Sequence, residues 1–206
     1  MFSSRRETIA REAEVVPSNS FAPLDLVAIY GRSAPLEVDL GCGEGSFLAA
    51  IAAEKPGSNV LGIERQMGRV RSACRKIERQ GLANARILHA EISYAVVEML
   101  PEGSVTVFHL MFPDPWQKRR HAPRRLVNDV FFKAISRALV PDGVLRLATD
   151  HLDYFNDIRR LAARSTGFTV DQPTGDTTAA SKFEKMFLRQ GTQIHRLWLR
   201  KVSPVT

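Results

Sequence analysis

The feature that most constrains the fold is a regular alternation of strand-like and helix-like patterns that begins near Pro35. Short apolar runs are each followed by a segment in which apolar residues recur at spacings of three and four, the period of a helix. Strands that alternate with helices form a mostly parallel sheet with helices on both faces. We therefore predict an α/β domain whose seven strands are residues 36–40, 59–63, 86–89, 105–111, 144–148, 168–170 and 194–201.

Length and composition fit a single domain with a basic lead-in. The chain has 206 residues and a net charge of +7, which favours an anionic partner. We expect an N-terminal basic arm with a short helix over residues 1–33 and one domain over residues 34–206. Cys42 and Cys74 lack metal-ligand spacing, so we expect no disulfide framework and no metal site. No segment suits a signal peptide or a membrane span, which favours a cytoplasmic protein. We expect a monomer or a homodimer.

Acidic residues recur where predicted strands end. In open parallel sheets, ligands bind beyond the carboxyl ends of the strands. Because these ends meet at one edge of the sheet, we expect the acidic side chains to share one rim. They are Asp39, Glu64, Glu91, Asp114 and Asp150.

A glycine loop follows the first predicted strand and carries Gly41, Gly43 and Gly45. A dinucleotide-binding loop would need a glycine at position 46, which is Ser46. The actual pattern, Asp-x-Gly-x-Gly-x-Gly from Asp39 onward, resembles the loop of class I S-adenosylmethionine-dependent methyltransferases. Glycines let the backbone approach a ligand closely, and the carboxylate of Asp39 can face an ammonium group. Glu64 ends the next strand, where a carboxylate can accept hydrogen bonds from both ribose hydroxyls.

The segment Phe112–Trp116, here called the proline corner, places Asp114 between two prolines. Each proline fixes its own φ and disfavours helix in the residue before it, so the carboxylate is held in a stiff, extended corner. The flat ring of Trp116 lies beside it, and a dense basic run follows. A rigid carboxylate, a stacking ring and a basic run fit an enzyme that acts on a base in a polyanion. The basic residues are Lys118, Arg119, Arg120, His121, Arg124 and Arg125.

Taken together, five motifs resemble the bacterial tRNA (guanine-N7)-methyltransferase family. They are the glycine loop, Gly62-Ile63-Glu64, residues 112–125, Ala148-Thr149-Asp150 and Ser181-Lys182-Phe183-Glu184. The resemblance implies a Rossmann-like class I methyltransferase fold, S-adenosylmethionine as cofactor and tRNA as partner. It also implies that Asp39, Glu64, Glu91 and Asp114 contact the cofactor, and that Asp114 is the catalytic position. The substrate contacts that it implies are Lys118, Asp150, Ser181, Lys182, Phe183 and Glu184.

Structural interpretations of several of these residues stay open at this point. Ser181 and Glu184 fit a helix capping box, and Asp150 could cap the helix that follows it. The basic run could bind RNA phosphates through Arg119, Arg120, His121, Arg124 and Arg125, or it could be solvated surface. Two other functions also stay open: methylation of a small molecule or protein, and RNA binding without catalysis.

Overall fold

The computed structural model describes residues 13–116, 125–171 and 181–202. Its strands are β1 (Glu14–Val15), β2 (Leu36–Leu40), β3 (Asn59–Glu64), β4 (Ala85–His89), β5 (Val105–Met111), β6 (Leu139–Thr149), β7 (Phe168–Asp171) and β8 (His195–Lys201). Its helices are α1 (Leu26–Tyr30), α2 (Ser46–Glu54), α3 (Met67–Arg79), α4 (Ile92–Tyr94, continued by a π-helix over Ala95–Met99), α5 (Asp129–Ala138), α6 (Leu152–Arg164) and α7 (Lys182–Arg189).

All eight strands form one sheet in the order β1-β4-β3-β2-β5-β6-β8-β7. The pairs from β1 to β6 are parallel, and β8 runs antiparallel to both β6 and β7. The α/β prediction is confirmed, with eight strands in place of seven. The additional strand is β1, which pairs with β4 at the edge. A segment of two residues is too short to show strand periodicity, which is why the sequence pattern did not reveal it.

The sheet separates two apolar cores, because successive residues of a strand point to opposite faces. On one face, α2 and α3 pack through Leu48, Ile51 and Val70 against strand residues such as Val60 and Ile87. The other core receives side chains from α1, α4, α5 and α6 and from alternate strand positions, including Val38, Leu61, Phe108, Phe131, Ile135 and Ile158. Helices on both faces leave the strand ends accessible at the two edges of the layers.

The strand order reverses beside β2, and this reversal positions the candidate site. After β2 the chain builds β3 and β4 on one side, and then returns to place β5 and β6 on the other. The connections leaving the carboxyl ends of β2 and β5 therefore diverge, which opens a crevice between them. The glycine loop leaves β2 at this point, and the proline corner leaves β5.

Two local features interrupt the regular pattern. After Tyr94, α4 changes into a π-helix, and the Leu100 amide donates to the carbonyl oxygen of Ala95. The long strand β6 shifts register against β5 through a bulge that contains Asp142 at φ 60°. No helix within the described ranges is long and apolar enough to cross a membrane.

Candidate active site

The glycine loop crosses the carboxyl end of β3 in a conformation that needs its glycines. Gly41, Gly43 and Gly45 have φ values of 78°, 56° and 70°, in the left-handed region that other residues rarely adopt. The amides of Gly41 and Cys42 both donate to the carbonyl oxygen of Ile63, at 2.9 and 3.1 Å. The loop is therefore fixed to the neighbouring strand before any ligand binds.

Gly45 is also required for packing, because it lies directly against α3. A Cβ atom built at Gly45 would come within 2.8 Å of the Ala73 Cβ, whereas one built at Gly43 meets nothing within 4 Å. A further glycine, Gly62 in β3, would place its Cβ 2.5 Å from Leu48 and 2.7 Å from the Cys42 sulfur. The packing role of Gly62 is visible only in the folded chain.

Asp39 supplies a buried carboxylate at the base of the crevice. Its side chain is only 2% exposed, and its Oδ2 atom has no hydrogen-bond partner among the residues that the structure describes. Burial, reinforced by the nearby charge of Glu64, raises the pKa of Asp39 to about 7. A buried acceptor without a donor is costly, so this position suits a ligand that brings a cation or an N–H group.

Glu64 joins the end of β3 to the glycine loop. Its Oε2 accepts from the amide of Gly43 at 3.1 Å, and its Oε1 accepts from the amide of Gln66 at 2.8 Å. A carboxylate has about four acceptor positions, so each oxygen can still accept from a ligand hydroxyl. The backbone bonds fix the direction in which the remaining lone pairs point.

Glu91 has a structural role that the sequence analysis did not predict. It is the N-cap of α4, and its Oε2 accepts from the amide of Tyr94 at 2.9 Å. The side chain is exposed and lies just beyond the carboxyl end of β4. Glu91 therefore shares the same edge of the sheet as Asp39 and Glu64.

The proline corner turns sharply after β5. Phe112 and Trp116 both have positive φ, 56° and 43°, which is rare for bulky residues and indicates a conformation held by its surroundings. The Phe112 amide donates to the carbonyl oxygen of Ala148 at 2.8 Å, and its ring lies 5.2 Å from that of Phe187 in α7. Asp114 is exposed, and its Oδ1 accepts from the amide of Trp116 at 3.0 Å.

Arg125 contacts the proline corner from the far side of the basic run. Its Nε donates to the carbonyl oxygen of Pro115 at 2.8 Å, and its Nη1 forms an ion pair with Asp157 of α6. Its guanidinium carbon lies 4.8 Å from the centre of the Tyr154 ring. The other basic residues named above, Lys118, Arg119, Arg120, His121 and Arg124, lie outside the described residues.

The remaining predicted substrate residues lie on β6 and α7. The N-cap of α6 is His151, whose ring accepts from the amide of Tyr154, so the suggestion that Asp150 caps this helix is wrong. The capping interpretation of Ser181 is confirmed, because its Oγ accepts from the Glu184 amide at 3.0 Å. The carboxylate of Glu184 pairs with Arg196 of β8. The side chains of Lys182 and Phe183 lie outside the described part of the chain.

A buried polar group beneath Asp39 was missed by the sequence analysis. Glu37, on the same face of β2, accepts from Lys55 at 2.7 Å and bonds to the ring of His109 at 2.8 Å. Burial opposes ionisation of Glu37, but the bonds and charges of His109 and Lys55 outweigh it and lower the pKa of Glu37 to about 2. The sequence did contain a signal for this group, because Glu37 and His109 are polar residues within otherwise apolar strands.

The site residues that the structure describes do not form a metal centre. Across residues 13–116, 125–171 and 181–202, no group of three histidine, cysteine or acidic side chains could hold a metal ion. What the edge does present is a buried carboxylate with an open acceptor, a second carboxylate fixed by amides, and an exposed carboxylate in a rigid corner. This arrangement can bind an ammonium group and a diol beside a third group that orients a polar ring.

Comparisons with known proteins agree with this geometry. Residues 33–197 match a family model described as "Putative methyltransferase". The tRNA (guanine-N(7)-)-methyltransferase of Geobacter metallireducens is 33% identical, over 91% of this chain and 92% of that protein. The enzyme of the same name from Alkalilimnicola ehrlichii is 36% identical, over 87% of this chain and 78% of its own length.

Solved structures show the same fold at low identity. The antibiotic-resistance methyltransferase Kmr has a TM-score of 0.62 at 21% identity, and the alignment covers 92% of this chain and 96% of Kmr. Such a likeness shows the architecture alone. The similarity to these two curated enzymes extends over 91% and 87% of this chain. The chain therefore belongs to the tRNA (guanine-N7)-methyltransferase family.

Proposed function

We propose that this protein transfers a methyl group from S-adenosylmethionine to N7 of a guanine in the variable loop of tRNA. The observation that carries the proposal is the order of three adjacent parallel strands: Asp39 and Glu64 lie at the carboxyl ends of β2 and β3, and the proline corner with Asp114 follows β5. The proposal is supported by the identity of 33% and 36% to two curated enzymes of this name, over 91% and 87% of this chain. A tRNA substrate also favours a cytoplasmic location.

The residues present fit the cofactor. The open Oδ2 acceptor of Asp39 suits the ammonium group, and the two amide-bound oxygens of Glu64 suit the ribose hydroxyls. The glycine loop allows close approach of the backbone, and Glu91 borders the same pocket at the end of β4. When bound, the cofactor supplies an electrophilic methyl group carried by a sulfonium.

Asp114 acts on the guanine by orientation and charge. The N7 atom of guanine already has a free lone pair, so its attack needs no prior deprotonation. What the reaction requires is alignment of the ring and tolerance of positive charge that develops on the purine. A fixed carboxylate accepts from the N1–H and N2–H₂ groups and stabilises this charge. The corner limits the directions that this carboxylate can take.

The other predicted substrate residues are assigned to the same substrate. Asp150 follows β6, and Ser181 and Glu184 begin α7, whose Phe187 contacts Phe112 of the corner. Lys118, Lys182 and Phe183 are assigned to the same substrate by resemblance. Arg119, Arg120, His121 and Arg124 bind phosphates of the tRNA backbone, which position a nucleic acid without reading its sequence.

The test is to identify the modified nucleoside. Purified protein would be incubated with bulk tRNA and methyl-labelled S-adenosylmethionine, and the tRNA digested to nucleosides. We expect label only in 7-methylguanosine, and none when the variable-loop guanine of a single tRNA transcript is replaced by adenine. Label in another nucleoside, or in protein or small molecules alone, would contradict the proposal.

A further inference from the structure

We propose that Arg125 is a positioning residue, which fixes the orientation of the Asp114 carboxylate by holding the proline corner against α6. The sequence alone assigned Arg125 to RNA phosphates with the rest of the basic run. The new assignment rests on the proposed function, because it takes Asp114 as the group that orients the base.

The first argument is that the guanidinium of Arg125 already has three protein partners. It donates from Nε to the Pro115 carbonyl, forms an ion pair with Asp157 through Nη1, and lies over the Tyr154 ring at 4.8 Å. Its side chain is only 15% exposed. A phosphate contact would have to compete with these partners, whereas a role in holding the proline corner uses all three.

The second argument is a direct path from Arg125 to Asp114 through one peptide group. The carbonyl of Pro115, which accepts from Arg125, belongs to the same planar unit as the amide of Trp116. That amide donates to Oδ1 of Asp114 at 3.0 Å. A rotation of this peptide would break both bonds together. Holding its oxygen therefore holds the donor that orients the carboxylate.

The third argument is that the corner needs external support. Phe112 and Trp116 both have positive φ, and such strained conformations persist only where the surrounding structure imposes them. The Phe112 end is held by the hydrogen bond that its amide donates to the carbonyl oxygen of Ala148. Arg125 holds the opposite end, so the corner is fixed on both sides of Asp114.

Electrostatics place these groups in one neighbourhood. The pKa of the buried Tyr154 hydroxyl is raised chiefly by burial, and the carboxylates of Asp114 and Asp157 add to the increase. The bond from the Val127 amide and the charge of Arg125 oppose it. The positive charge of Arg125 is therefore paired with Asp157 and acts on the same Tyr154 hydroxyl as the charges of Asp114 and Asp157.

Only arginine has the geometry for this role. Its planar fork can donate to the Pro115 carbonyl and to Asp157 from two fixed nitrogens while its face lies on Tyr154. Lysine carries the same charge on a single nitrogen and can satisfy one of these partners at a time. A phosphate contact, by contrast, is kept well by lysine. The substitution Arg125→Lys therefore separates the two roles.

The experiment compares four variants of the full-length protein: Arg125→Ala, Arg125→Lys, Asp157→Asn and Arg160→Ala. The last is a matched control, because Arg160 is 74% exposed and pairs with the same Asp157 at 3.2 Å. Three quantities would be measured: the single-turnover methylation rate at saturating tRNA and cofactor, tRNA affinity across a salt series, and thermal unfolding.

We expect both Arg125 variants to lower the single-turnover rate about 10- to 100-fold, as misplacement of a catalytic group by about 1 Å does. The tRNA affinity and its salt dependence should stay at the wild-type values. Asp157→Asn should lower the rate in the same direction, and the control should keep it. This loss at saturation, with folding and binding intact, is not expected from a purely structural residue.

Two results would overturn the inference. One is a wild-type rate in Arg125→Lys or Arg125→Ala at saturation. The other is a log–log salt slope that falls by about 0.7–0.9, the change expected from one lost phosphate contact. If Arg125→Ala does not fold, Arg125→Lys and Asp157→Asn decide the question alone. Failure of the proposed function would show separately, in the nucleoside that the wild-type protein methylates.

Discussion

At the scale of single residues, the site combines acids whose environments differ sharply. Asp39 is buried with an open acceptor and a raised pKa, whereas Asp114 is exposed at the tip of a rigid corner. A buried carboxylate without a donor suits a cationic group of a ligand. An exposed carboxylate on a fixed backbone suits the hydrogen-bond donors along the edge of a polar ring. Under the proposed function, the same side-chain chemistry serves the cofactor at Asp39 and the base at Asp114.

The affinity for S-adenosylmethionine should rise with pH between about 5.5 and 7. Below pH 7 the folded protein carries a proton on Asp39, and this proton must leave before the carboxylate can face an ammonium group. Affinity should increase by up to tenfold per pH unit and become constant above about 7. Titration calorimetry in buffers of different ionisation enthalpy would detect the released proton. Equal affinity and no proton release at pH 5.5 and 7 would contradict this.

Asp39→Asn should stabilise the folded protein at pH 8 while it weakens cofactor binding. The folded-state pKa of about 7 lies above the ordinary value of 3.8. Ionisation of Asp39 therefore opposes folding as the pH rises through this interval, and the full cost applies above about 7. The gain should be roughly 2–4 kcal/mol in the free energy of unfolding at pH 8, and absent below pH 4. Denaturant unfolding at the two pH values measures it. A variant less stable than wild type at pH 8 would refute the assigned cost.

Asp114→Asn should slow methyl transfer by about 10²–10³, the usual loss for one preorganised electrostatic contact. The substitution keeps the shape and one acceptor but removes the charge that stabilises the developing cation. The exposed side chain contributes little to the core, so the unfolding temperature should not change. Single-turnover assays at saturating tRNA would measure the rate. Full activity in this variant would exclude a charge-dependent role for Asp114.

At the scale of elements, the glycine loop and α3 act as one unit. Gly45 packs against Ala73, and Lys76 of the same helix donates to the carbonyl oxygen of Glu44 at 2.8 Å. The carboxylate of Glu64 and the carbonyl of Ile63 hold the other side of the loop. The cofactor pocket is therefore preorganised by packing and backbone bonds.

Gly45→Ala should destabilise the protein more than Gly43→Ala, although both residues have positive φ. Each substitution incurs the left-handed penalty of about 1–2 kcal/mol. Only the Gly45 variant also meets a neighbour, with its Cβ 2.8 Å from Ala73. That overlap should add about 1–3 kcal/mol and displace the loop, which should weaken cofactor binding further. Denaturant unfolding and calorimetry compare the two variants, and equal losses would mean that α3 moves freely to make room.

At the scale of the whole molecule, the charge of +7 accompanies an acidic ligand edge. Under the proposed function, the residues assigned to the cofactor are carboxylates, so the net positive charge of the protein is what attracts a polyanion. Charge of this kind acts over about 10 Å in 0.1 M salt and mainly governs association. We propose that this charge brings RNA to the protein and that the acidic edge then selects the base and the cofactor.

Neutralising Arg120 and Arg124 should reduce the salt dependence of tRNA binding. In a plot of log affinity against log salt concentration, each phosphate contact removed should reduce the magnitude of the slope by about 0.7 to 0.9. Cofactor affinity should not change, because the glycine loop and Glu64 belong to separate elements. Binding assays over a salt series would measure the slope of the double alanine variant, with Arg160→Ala as a control of equal charge change per site. An unchanged slope would assign the basic run to solvated surface.

Much of the architecture was determined by the sequence itself. The bounds of Leu36–Leu40 and Val105–Met111 were predicted as they stand, because apolar residues recur along both segments and glycine or proline lies close to each end. The glycine loop could also be predicted from the sequence, because positive φ favours glycine at Gly41, Gly43 and Gly45. Such constraints act within a few residues of the chain and therefore leave a local pattern.

Tertiary structure alone decided how polar side chains are paired. Arg125 looked like part of a basic run until α6 brought Asp157 and Tyr154 against it, and Glu37 met His109 only when β2 and β5 became neighbours. Charged groups can pair with any opposite charge that the topology brings near, and no spacing in the sequence records the choice. The hydrophobic period specified the strands and helices, whereas the packing of distant segments determined which arginine faces solvent and which one holds the proline corner.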